Sequence, residues 1–143
     1  MSRVTALILH TAAVAGLAGC ASDEAPTWAE LDRRERLVFM TDEVEPTMRA
    51  IFQEHDQERW ASFGCESCHG ADAAGRDYEM PAVLGALPLD NTLEVAEMRN
   101  PELTAFMLEE VFPTMAALLD EPKFDQTTEP DGFRCVGCHV VAP

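Results

Sequence analysis

The stretch "FMTDEVEPTM", Phe39–Met48, is written a second time as "FMLEEVFPTM", Phe106–Met115, with seven of its ten positions identical. Both copies read as helix. In the second, Asn100 suits the N-cap and Pro101 suits the first helical position. Met40, Val44, Met48 and Phe52 recur at intervals of four, as do Met107, Val111, Met115 and Leu119. Each copy therefore lays one apolar stripe along a helix. Pro46 and Pro113 stand two residues before the second Met of each pair. A Pro inside a helix removes an N–H, frees a carbonyl and bends the axis. No strand pattern stands out elsewhere, so the expected fold is all-α.

The repeat continues beyond the decamer. "FGCESCH" ends at His69 and "FRCVGCH" ends at His139, and both read Phe-x-Cys-x-x-Cys-His. Met48 precedes Cys65 by 17 residues, and Met115 precedes Cys135 by 20. The chain is thus a duplicated helix–connector–motif unit, with unit one at about 37–78 and unit two at about 100–143. Residues 28–143 form the expected folded domain. "TLEVAEMRN" predicts a short helix, and "WAELDRRERLVFM" predicts a helix that runs into the first decamer. Residues 79–91 read as an apolar loop that links the halves and covers a cofactor edge. Residues 120–133 read as a polar connector rich in turn residues.

C-x-x-C-H is the attachment pattern of a c-type haem. Two Cys at i and i+3 lie on one side of a helical turn, so both sulfurs can bond one haem edge. The His that follows points its ring at the iron. The expected cofactors are two covalently bound haems c, on Cys65, Cys68 and His69, and on Cys135, Cys138 and His139. A zinc site, a redox disulfide or two structural disulfides would use the same cysteines. None of these calls for a His directly after each pair. Histidine is otherwise scarce, since only His10 and His55 remain. Only "VVAP" follows His139, so a far-side protein ligand for that iron must come from upstream. The preserved "PTM" block makes Met48 and Met115 the expected axial ligands. Met40 and Met107 read as core, and His55 reads as a surface residue.

A helix carrying the axial Met, then a turn, then C-x-x-C-H, resembles the repeating unit of the multihaem cytochrome subunit of photosynthetic reaction centres. The likeness covers roughly 37–139 and extends to small dihaem cytochrome lipoproteins. It implies Met48 with His69 on one iron and Met115 with His139 on the other. The family subunit carries more haems, so its photosynthetic role is not implied. "CHGADAAG", from Cys68, also looks like the start of a single-haem class I cytochrome. In that class the axial Met lies downstream, where Met80 and Met98 are the candidates. The second copy has no residue suited to that order.

The first 19 residues read as a signal peptide, with Arg3 before an apolar run too short to span a membrane. The run ends in "LAGC", which resembles the lipobox of bacterial lipoproteins. Cys20 is the expected lipidation site, and residues 20–27 the tether. Ala21, rather than an Asp, agrees with sorting to the outer membrane, on the periplasmic side of the envelope. The formal charge is −16. That excess disfavours nucleic acid as a partner and favours redox proteins with a basic docking face. The function expected is an electron carrier and not an enzyme. Its competitors are a dihaem peroxidase with one open iron, and a non-haem metal-binding lipoprotein. Peroxidases of that type are much larger, and no acid–base pair is evident here.

Overall fold

The computed structural model describes residues 26–81 and 84–142. The signal segment, Cys20 and most of the tether lie outside the described residues.

Asp32 begins the first helix. Its carboxylate accepts the Glu35 N–H at 2.9 Å, and Glu35 accepts the Asp32 N–H at 2.8 Å. This reciprocal cap satisfies two donors that a helix start leaves open. Helix α1 (Arg33–Phe39) then runs without a break through a wide π turn, Met40–Val44, into α2 (Glu45–His55). The helix expected to begin at Trp28 starts five residues later, because residues 28–30 form a turn.

The π turn is the chain's answer to Pro46. Proline offers no N–H and clashes with the carbonyl four residues back. The Glu45 N–H just before it reaches five residues back, to the Met40 carbonyl. The wider turn lets the helix continue through the proline. The second copy repeats the device. Asn100 accepts the Leu103 N–H at 3.0 Å and opens α5 (Pro101–Phe106). A π turn, Met107–Val111, leads into α6 (Phe112–Leu118), and the Phe112 N–H bonds the Met107 carbonyl.

Between these long helices lie two short ones, α3 (Cys65–His69) and α4 (Thr92–Arg99). Among the described residues there are no strands, only isolated bridges such as Leu87 with Val141. The fold is all-α, as expected.

The two copies pack reciprocally. Helix α2 lies against the second π turn, and α6 lies against the first. Their shared core contains Val44, Met48, Phe52, Phe63 and Phe106, with Met40, Met107, Val111 and Met115 packed around it. The stripes drawn from four-residue spacing are thus the faces that meet. Phe52 is the hub. Its ring lies 4.7 Å from Phe63, 4.8 Å from Trp60 and 5.1 Å from Phe106, centroid to centroid. Such contacts add to the burial of the rings themselves.

The polar connector is a folded loop. Asp125 accepts the N–H groups of Thr127 and Thr128, each at 2.8 Å. Those bonds hold its carboxyl below the usual range, the Thr128 backbone first. Lys123 bridges to Phe133, and the Phe133 N–H donates to the Pro122 carbonyl at 2.7 Å. Gly132 is required there, since a Cβ would fall 2.7 Å from the same carbonyl.

Phe52→Ala should destabilise the protein by roughly 3–5 kcal/mol in denaturant unfolding. Leu89→Ala, at a side chain 62% exposed, should stay within about 0.5 kcal/mol. Equal effects would show that the aromatic hub is not the core.

Candidate functional site

Each Cys-x-x-Cys-His is docked by the Phe two residues before its first Cys. Phe63 stacks on Phe52 of α2, at an interplanar angle of 29°. Phe133 stacks on Phe112 of α6, with centroids 5.6 Å apart and rings inclined by 14°. Both motifs therefore hang from the helix of their own unit.

The first motif is the single turn α3. Gly64 and Ser67 close its start, with Gly64 N–H to Ser67 Oγ at 3.1 Å. Cys65 and Cys68 occupy i and i+3, and His69 ends the helix. Behind it, the Arg76 guanidinium bonds the carbonyls of His69 and, at 3.2 Å, Glu79. The Arg33–Asp77 ion pair joins α1 to this loop. Both partners are well exposed, so the pair contributes little stability. Tyr78 stands edge-on to His69 at 5.6 Å. His69 Nδ1 is buried and has no hydrogen-bond partner among the described residues.

The second motif is a tighter 3₁₀ turn, Cys135–Gly137. The Cys138 and His139 N–H groups both donate to the Cys135 carbonyl, at 3.1 and 2.9 Å. The loop between the units supports it. His139 Nδ1 donates to the Gly85 carbonyl at 3.0 Å.

Among the described residues four thiols are free: Cys65 is exposed, and Cys68, Cys135 and Cys138 are half-exposed. Burial pushes the Cys68 thiol up to about 11, helped by the charge of Cys65. Cys138 is also pushed up to about 11, by burial first and then by Cys68 and Cys135.

These residues fit a covalently attached haem. Each motif offers two unpaired thiols one helical turn apart, with a His next in sequence. At His139 the ring nitrogen that faces the carbonyl is fixed as N–H, which leaves Nε2 its lone pair for a metal. Among the described residues, no group of three or more His, Cys, Asp or Glu side chains is gathered as a metal centre. Haem attachment needs no such gathering, since each unit supplies one His.

The axial candidates are brought together without being sorted by role. Met48 is buried at 3% exposure. Met40, Met107 and Met115 pack against the same cluster, and so does Cys68 of the first motif. Met80 is half-buried and Met98 is 71% exposed. His55 stacks on Phe106, ring centroids 3.9 Å apart. Sequence reading missed the Gly85 carbonyl and the Arg76 clasp. The first is a backbone group, with only a Gly in a Leu-rich loop to hint at it.

No family model, curated protein or solved structure matches the chain.

In chain made without haem attachment, iodoacetamide at pH 8 should label Cys65 first. Cys68 and Cys138 should resist until the protein is unfolded, because about one thiol in a thousand is ionised there. Equal labelling of all four, read by peptide mass, would contradict the described burial.

Proposed function

We propose that the protein is an electron carrier holding two covalently attached c-type haems. The observation that carries this reading is the doubled Phe-x-Cys-x-x-Cys-His, each copy docked on its own helix with both thiols unpaired. Cys65 and Cys68 would hold one haem, with His69 on its iron. Cys135, Cys138 and His139 would hold the other. A haem iron bound there supplies a one-electron couple. The polypeptide's part is to fix the His rings, exclude water with the aromatic hub and supply the far-side ligands. Met48 and Met115 are the proposed axial ligands, and Met ligation favours the higher range of potentials.

The proposed partner is a redox protein with a basic face. A surface groove of about 510 Å³ along α1 supports this: Asp32, Glu35, Asp42 and Glu43, with the single cation Arg34, surround the apolar Val38 and Phe39. The formal charge of −16 supports it too. Electrostatic steering of that kind weakens as salt rises. We also propose lipid attachment at Cys20, which would hold the carrier at a membrane. Among the described residues no helix is long and apolar enough to cross one.

Anaerobic titration should deliver two electrons per chain, reversibly, with no bound carbon monoxide in the reduced protein. Rapid carbon monoxide binding and peroxide turnover would instead mark one open iron and a peroxidase. Oxidised protein should show the weak far-red band of thioether sulfur on ferric haem. Met48→Ala and Met115→Ala should each remove about half of it and lower one potential, while Met40→Ala and Met107→Ala should keep it. The reverse pattern would move the ligands to Met40 and Met107.

A further inference from the structure

The two motif histidines are held differently. His139 Nδ1 lies 3.0 Å from the Gly85 carbonyl. A carbonyl only accepts, so the ring carries its proton on Nδ1. Three features fix that carbonyl. Gly85 has φ +82°, a left-handed conformation that favours glycine. The neighbouring Ala86 carbonyl accepts from Arg99 Nη1 at 2.7 Å, at the end of α4. Leu87 N–H donates to the Val140 carbonyl at 3.0 Å, and its own carbonyl accepts from Ala142 at 2.9 Å. The loop is therefore zipped to the residues that follow His139. Among the described residues His69 has no such support, for its Nδ1 is buried and unpartnered.

We infer that the Gly85 carbonyl is a positioning group for His139 and makes the two haem sites inequivalent, with the His139 site at the lower potential. The inference rests on the haem reading above. A ring N–H that donates to a carbonyl pushes electron density toward the opposite nitrogen. That nitrogen becomes a better donor to iron and favours the ferric form. The His69 ring, whose Nδ1 has no acceptor, receives no such push. Arg99 acts one step further back, by holding Ala86 and so the aim of Gly85. The order of filling follows: the first electron enters the His69 site and the second enters the His139 site.

The test uses the haem-loaded chain. Cys65→Ala with Cys68→Ala leaves the His139 site alone, and Cys135→Ala with Cys138→Ala leaves the His69 site. Gly85→Ala and Arg99→Gln are then placed in each background and titrated. The His139 site should begin as the lower of the two. Each variant should raise its one-electron reduction constant severalfold, to about tenfold or about 59 mV, and leave the His69 site unmoved. In reduced protein labelled with ¹⁵N-histidine, the His139 Nδ1 proton should resonate downfield of that of His69. Unmoved potentials, equal shifts at both sites, or coincident Nδ1 protons would overturn the inference. If Gly85→Ala does not load haem, Arg99→Gln and the spectrum of the unaltered protein decide. A chain carrying no covalent haem defeats the functional proposal at the first step. Two haems with unresponsive potentials defeat this inference alone.

Discussion

The stack of Phe63 on Phe52 is the contact on which the arrangement turns. Phe52 projects from α2 into the seam between the two copies, where it also meets Phe106. Phe63 precedes Cys65 by two residues, so the stack joins the helical core to the first motif. Without it, α3 would be one isolated turn, too short to hold itself together in water. Unit two makes the same kind of joint with different residues, Phe133 on Phe112. The repeated Phe before each Cys is therefore a docking residue, and it explains why helix and motif were duplicated as one block.

Duplication did not produce two independent halves. The helices pack crosswise, each against the other copy's π turn. The linker loop holds the His139 ring directly, through the Gly85 carbonyl. The second connector is longer, and its extra length is spent on the Asp125 turn that presents Phe133. The result is one core with two unequally held motifs. For the proposed relay, that inequality would give the electron a preferred direction within a small molecule.

Much of this was legible in the sequence. The apolar stripes, the Asn100–Pro101 helix start and the short helix at Thr92–Arg99 all appear where local chemistry put them. These are short-range effects, written in neighbouring residues. The break that each Pro makes in the helical hydrogen-bond ladder was legible. The π turn that accommodates it, through the N–H of the preceding residue to the Met five positions back, was not. The four methionines show the same limit. Met40, Met48, Met107 and Met115 share one cluster, so spacing alone does not separate ligand from core. The Gly85–His139 bond spans 54 residues and uses a backbone oxygen, so no motif announces it.

The central claim is that Cys65, Cys68, Cys135 and Cys138 are thioether anchors. Its most direct test is the mass of the full chain, made in cells with a haem-attachment system and then unfolded in acid. The account predicts two haems retained per chain, with none of these four thiols open to alkylation. One haem, or none with the four thiols free, would contradict it.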